Sequence, residues 1–512
     1  MSIQHGADIK GDLDLDCDVV IIGSGAGGAV MATELSLAGL DVIVLEEGKH
    51  VPAKVHGAMR QSQSVRTLWR DGGMSVAFGL GGSPSVNLTV GSGIGGSSIL
   101  TGGVCFRVSE EINDNWAREM GLSDLTAKGM DPYYSRVEKA VNVEEVPVHM
   151  RSRSTSLFCE GAEKLGYPME PTRRNTSGCQ GCGRCNFGCP HEAKLSVDLS
   201  YLPRAMAAGA QVFSDCIVTK IVQRNGRASG VEGRIFNGPQ RTKRGRFSVR
   251  AKVVVSSCGG LHSPILLKSN GLAGFGSQIG ENLTLHPGFR VFALFDEPVQ
   301  GWKGSMQSAF SNHFHEDRFM LMSIFIPASV IAAQLPGAGP GNRKHLDHLN
   351  NIAVFGAMLH DDGPGTVRRG PGREPFVTYR MSARDKVAMF RGIRLVAETY
   401  FAAGAKKVYL PVLGADPVTA DQLASFPLEQ ISPTKIECGS QHPLGACRMG
   451  TAAGWSGVDS NGKLWGTDNI YVVDGSIIPS SLGVNPQLTI MALATRMAER
   501  LVDAFPRHRA QA

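Results

Sequence analysis

The chain has 512 residues, 42% hydrophobic and only 19% charged, which is enough to bury one large core or two joined ones. Its net charge of +6 is thinly spread, with no basic block interleaved with aromatics, so nucleic acid is excluded as an expected partner. No apolar run reaches the ~18 residues of a membrane span, and the start MSIQHGADIKGDLDLDCDVV shows no signal peptide, so the expectation is a cytoplasmic protein without a membrane span.

The first informative segment is CDVVIIGSGAGGAVMATELSLAGLDVIVLEEG. DVVIIG reads as a strand buried on both faces of a parallel sheet. Gly23, Gly25 and Gly28 form G-x-G-x-x-G, AVMATELSLAG has helical period, and DVIVLEEG is a second strand ending at Glu46. Gly23 permits the tight turn, Gly25 lets backbone approach a pyrophosphate, and Gly28 packs helix on strand. The helix N-terminus faces the phosphates and Glu46 can take a ribose diol. A merely Gly-rich turn would have neither the flanking elements nor the acid. From this loop alone FAD and NAD are both open.

GSGIGGSSILTGGVCFR is a second Gly/Ser-rich loop, holding Gly95, Gly96, Ser97 and Ser98. Interspersed Ile94, Ile99 and Leu100, with helical EEINDNWAREMG following, argue against a flexible linker and for backbone lying against a flat ring.

CQGCGRCNFGCP places Cys179, Cys182, Cys185 and Cys189 at C-x2-C-x2-C-x3-C-P spacing, the ferredoxin-type run. Structural zinc prefers two C-x2-C knuckles a dozen or more residues apart, so this run points to an iron–sulfur cluster, [4Fe-4S] or [3Fe-4S]. Thiols packing a Gly-rich turn, or a disulfide, are the alternatives. A fourth ligand could instead be Cys159 or Cys216. The total of 11 cysteines, four in one run, speaks for metal or redox use rather than a secreted disulfide framework.

RFMLMSIFIPASVIAA, NNIAVFGAMLH and EPFVTYRM read as strands of an antiparallel sheet, and SARDKVAMFRGIRLVAETYFAAGA as a helix. His313, His315, His345 and His348 lack a third ligand cluster and are expected as loop and surface residues.

Near the C-terminus, NIYVVDGS is a buried strand ending in Asp474 and Gly475. An amphipathic helix follows with Asn485 at its N-cap and Pro486 at its first position, its positive end available to a reduced flavin. With GGSS, GGLHSPILLKSNGL, GENLTLHP, HPLGACRMG and DGSIIPSSLGVNP in this order, the chain resembles the glucose–methanol–choline (GMC) oxidoreductases, and GVNP resembles their cholesterol-oxidase branch with its His/Asn pair.

That resemblance implies an α/β fold, α+β overall. A Rossmann-like FAD-binding domain with a parallel sheet is drawn from 14–115, 190–290 and 436–505, interleaved with a substrate domain with an antiparallel sheet from 116–178 and 291–435. Residues 179–190 are the cysteine-rich insertion. It implies non-covalent FAD held by Gly23, Gly25, Ala26, Gly28, Glu46, Gly95, Gly96, Ser97, Ser98, Val218, Asp474, Gly475, Asn485 and Pro486. Thr101 and Leu285 depart from the family pattern, where Asn and Asp are common. The expected reaction is oxidation of a small-molecule alcohol by hydride transfer to flavin N5, with His442 as base and Asn485 orienting the oxygen. Electrons would then pass through the cluster to an external acceptor, protein or small subunit. An O2-using alcohol oxidase with structural cysteines, and a flavin-bearing electron-transfer subunit, stand as alternatives.

Overall fold

The computed structural model describes residues 2–237, 242–274, 278–324, 327–337 and 339–510. The apolar strand Leu13–Ile22 is central in a seven-stranded sheet, with Val42–Leu45 and the fifteen-residue strand Thr242–Ser256 both parallel to it. Val19 to Ile22 are buried because strands flank them on both sides and helix Ala26–Leu37 packs against the sheet. Gln211–Phe213 extends one edge in parallel; Arg227–Asn237 and Cys216–Arg224 extend the other as an antiparallel hairpin. Ile470–Val472 returns from the far end of the chain to pair in parallel with the tip of Thr242–Ser256. The helix Gln487–Ala510 packs along Ala26–Leu37.

The second sheet has eleven strands, in the order 365–369, 375–379, 75–79, 86–88, 438–440, 288–294, 352–359, 319–323, 309–311 and 170–171, with 407–409 also on 288–294. It is mostly antiparallel; 75–79 with 375–379 and 86–88 with 438–440 are parallel. Along Gly288–Leu294 the two-residue period separates faces. Phe289, Val291 and Ala293 are buried in the core shared with helix Ala383–Ala402, which approaches closely enough that a Cβ on Gly392 would stand 2.7 Å from the Phe289 ring. Gly288, Arg290 and Phe292 share the opposite face. A capping box between Ser382 and Asp385 starts that long helix at the expected place. The mixed α/β fold, with its parallel and antiparallel sheets, is as expected.

Two expectations need correction. The run 318–333 is not one strand: Phe319–Ser323 is, whereas Ala328–Gln334 is a short helix capped by Pro327. Phe325 and Ile326 lie outside the described residues. Pro327 removes a backbone donor and cannot continue a ladder, but it suits a helix start. His345 is not a surface residue: it is buried with Nδ1 3.2 Å from the Tyr409 hydroxyl. No helix among the described residues is long and apolar enough to cross a membrane.

Candidate active site

The two sheets enclose a cavity of about 570 Å³. Gly23 has φ +99°, and a Cβ there would stand 2.4 Å from the Ser257 carbonyl, so only glycine makes this turn. Gly28 does not reach the cavity; a Cβ on it would meet Gly23 O at 2.1 Å, so it serves helix–strand packing. Gly25 and Ala26 open the first helix onto the cavity.

The second glycine loop lies directly against the first. A Cβ on Gly96, whose φ is +54°, would be 2.8 Å from Gly25 Cα. Gly95 stays behind the wall and ties the loops together, its N–H donating to Ser24 Oγ at 3.1 Å. Ser97 and Ser98 both line the cavity; Ser97 Oγ accepts from Gly91 N and Ser98 Oγ donates to Gly95 O. Glu46 accepts from Ser24 N, Ser24 Oγ and Gly48 N at 2.8 to 3.0 Å, which fixes the carboxylate while it still faces the cavity beside Val218.

At the other end of the cavity stand His442, Asn485 and Pro486, with Asp474 and Gly475. The last helix begins at Gln487, with Pro486 O accepting from Ile490 N, so Pro486 rather than Asn485 occupies the cap. That frees the Asn485 side chain to turn toward His442, Nδ2 to Nε2 3.3 Å. His442 N–H donates to Ser440 Oγ, and burial, with His286 nearby, holds the imidazole well below its ordinary pKa. Asp474 accepts from Gly259 N, Ser263 Oγ, Ser476 N and Ser476 Oγ, so it braces two loops around the site. Thr101, one departure from the family pattern, donates to Gln487 Oε1 at 3.1 Å and joins the second glycine loop to the last helix.

Residue-level reading missed several groups. His286 packs edge-to-face on His442 with ring centroids 5.4 Å apart, and its Nε2 accepts from Leu482 N. Burial pushes its pKa down to about 3. His286 was visible only as part of a motif, since nothing local says that residues 286 and 442 meet. Beneath it, buried Asp361 accepts from Leu285 N, His286 N, Tyr379 OH and Ser481 Oγ, supplying a carboxylate where Leu285 cannot. At the Glu46 end, Arg70 pairs with Glu47 and Glu374, and Arg373 with Glu47, over a stretch that gave no motif.

The cavity fits an adenine dinucleotide. Its two glycine walls are bare backbone, the helix at Ala26 points its N–H groups inward, and Asn485 Oδ1, Gln487 Nε2 and His442 Nδ1 are buried without a protein partner.

The four thiols do come together. Cys179, Cys182, Cys185 and Cys189 line one pocket of about 10 Å³, room for no more than a single water. Among the described residues no group of three or more His, Cys, Asp or Glu is arranged to hold a metal ion. The expected iron–sulfur cluster is therefore unsupported by this geometry, since sequence spacing sets which thiols are neighbours but not the volume between them. All four are free, and Cys216 lines the dinucleotide cavity instead. Two buried cations adjoin the pocket: Arg174 donates to Cys185 Sγ at 3.0 Å, and Lys194 donates to the carbonyls of Ile99, Thr101 and Cys185.

Family models described as GMC oxidoreductase match residues 17–288 and 365–494. An uncharacterized GMC-type oxidoreductase of Mycobacterium tuberculosis is 36% identical over 95% of this chain and 76% of its own length. A long-chain-alcohol oxidase of Arabidopsis thaliana, FAO4B, is 29% identical over 96% of this chain and 68% of its own. Among solved structures, pyridoxine 4-oxidase from Mesorbium loti superposes with a TM-score of 0.71 at 17% identity, covering 94% of this chain and 99% of that one. Motif order, matched models and a relative 36% identical over 95% of this chain agree: the chain belongs to the GMC family of FAD-dependent oxidoreductases.

Proposed function

We propose that this protein oxidises an alcohol (CH–OH) to an aldehyde or ketone, with FAD bound non-covalently. The observation that carries the reading is the His442–Asn485 pair, 3.3 Å apart on the cavity wall at the N-terminal end of the last helix. FAD, when bound, supplies the two-electron acceptor. His442, kept neutral by burial, accepts the hydroxyl proton at a ring nitrogen. Asn485, neutral at all pH, positions the substrate oxygen without competing for that proton. The two glycine loops hold the dinucleotide, Glu46 takes its ribose, and the second sheet roofs the site against water. A relative named as a long-chain-alcohol oxidase supports the choice of an alcohol.

The test is His442→Ala. Retained FAD absorbance with anaerobic flavin reduction by an alcohol slowed by about two to four orders of magnitude supports the base role. Unchanged reduction overturns it.

A second reading makes the enzyme a dehydrogenase with thiol-held iron serving an external acceptor, favoured by Arg174 and Lys194, buried cations beside four thiols that suit an anionic centre. It needs a pocket wider than the one seen. Protein purified under argon that carries several irons per chain supports it. Iron-free, fully active protein producing peroxide assigns the thiols to structure and O2 to the acceptor role.

A further inference from the structure

Beyond the His442–Asn485 pair the cavity continues under the helix Ala328–Gln334, and its wall there carries a cation. Arg290 stands on the strand Gly288–Leu294, on the face turned away from helix Ala383–Ala402. Its Nη1 donates to Gln334 Oε1 at 3.1 Å. Its Nη2 lies beside Gly439, 3.5 Å from where a Cβ would be.

The other arginines of the cavity wall are neutralised: Arg70 by Glu47 and Glu374, Arg373 by Glu47. Buried Arg496 likewise has Asp124. Among the described residues no carboxylate stands at ion-pair distance from Arg290. Glu437 acts on it only from further off and is itself exposed. Arg290 is half-buried, and a guanidinium turned into a cavity with no carboxylate at ion-pair distance is a ready partner for an anion.

The floor around Arg290 is also bare. Gly288 pairs with Gly439, and both line the cavity. Neither has a positive φ, and a Cβ on either would meet nothing closer than 3.4 Å, so packing does not demand glycine there. What the two glycines do is leave open space next to the guanidinium. Met322, Ile324 and Met358 also line the cavity, and strand register sets two of them near Arg290: Met358 lies opposite Gly288, and Met322 opposite Gly356, which itself pairs with Arg290.

We propose that the substrate is an alcohol carrying a carboxylate remote from its reacting carbon. The carboxylate docks on Arg290 and Gln334, the apolar segment lies along Met322, Ile324 and Met358, and the hydroxyl reaches His442. The inference rests on the alcohol-oxidation reading of the same cavity and deepens it by naming the substrate class. The carboxylate is bound and not consumed: the hydroxyl proton and the carbinol C–H electrons leave as in the parent reaction. The planar fork of arginine suits two parallel hydrogen bonds to such a group.

The test uses full-length FAD-loaded enzyme with ω-hydroxyalkanoates, their methyl esters and 1-alkanols of matched chain length, in a dye-coupled assay. Binding of alkanoates, which cannot react, is followed in parallel by perturbation of the flavin spectrum. The expected result is a preference for the hydroxy acid over its ester of about tenfold or more in kcat/KM. In Arg290→Met that preference collapses, chiefly through KM, and alkanoate binding is lost; Arg290→Lys restores part of each. Should Arg290→Met fail to retain FAD, Gln334→Leu and Arg290→Lys carry the comparison. Esters or alkanols turned over as well as the acids, or a variant that lowers both series equally, overturns the inference. Arg290-dependent alkanoate binding with no flavin reduction by any alcohol would instead overturn the proposed reaction and leave the anion site standing.

Discussion

His442 and Asn485 show how little of a side chain's chemistry is written in its type. An exposed histidine titrates near neutrality; this one is buried beside His286 and stays neutral well below that. The rate of flavin reduction should therefore hold steady from neutral into mildly acid pH. Asn485→Asp tests the assignment, because a carboxylate 3.3 Å from Nε2 raises the imidazole pKa and keeps the proton on the base. The acid limb of the pH–rate profile should then move to higher pH, with a lower rate at neutrality; a profile like that of the parent would remove Asn485 from contact with the base. Both residues were legible in the sequence, through QHPLGACRMG and GVNP. His286, Asp361 and Arg290 were not assigned roles, because their burial and pairing are made by segments from tens to nearly two hundred residues apart.

Among the elements, the helix Ala26–Leu37 depends on close backbone approach more than on its own propensity. A Cβ on Gly27 would stand 2.0 Å from Val473 O, where the helix meets the end of strand Ile470–Val472. Gly27→Ala should lower Tm and weaken FAD retention together, because the strand end that shifts carries Asp474; about 2 kcal/mol or more is the scale of such overpacking. Equal Tm and FAD content in the variant would show that the contact relaxes freely. Thr101→Val removes a hydroxyl linking the second glycine loop to Gln487 and should cost about 1 kcal/mol in denaturant unfolding. Strand and helix periods announced most of these elements. The run 318–333 misled because its apolar residues are continuous, and Pro327, not hydrophobicity, divides strand from helix.

The whole molecule buries several neutral histidines. Burial pushes His286 down to about 3, and His56 and His262 to about 4, while an unfolded chain takes up these protons near 6.5. The unfolded state then binds more protons, so stability rises with pH across this window and falls as pH drops from about 6.5 toward 4. Glu374, held down to about 2 by His262, adds to the loss below its ordinary range. Asp361 and Asp474, raised by burial, pull the other way, though four donors on each limit their effect. Denaturant midpoints should be lower at about pH 5 than at about pH 7; a midpoint that rises on acidification would mean the raised carboxylates dominate.

The chain alone announced the glycine loops and the two kinds of sheet, because these rest on local spacing that backbone sterics translate directly into turns, strands and helix ends, whereas the family and the pairing of His442 with Asn485 were read from the motifs it resembles. It could not determine whether four closely spaced thiols enclose enough volume for a cluster, which cation is left without an acid, or which histidine stands behind His442. Those depend on distances between segments remote in sequence. Burial turns such distances into large electrostatic and packing energies only once the sheets have closed on one another.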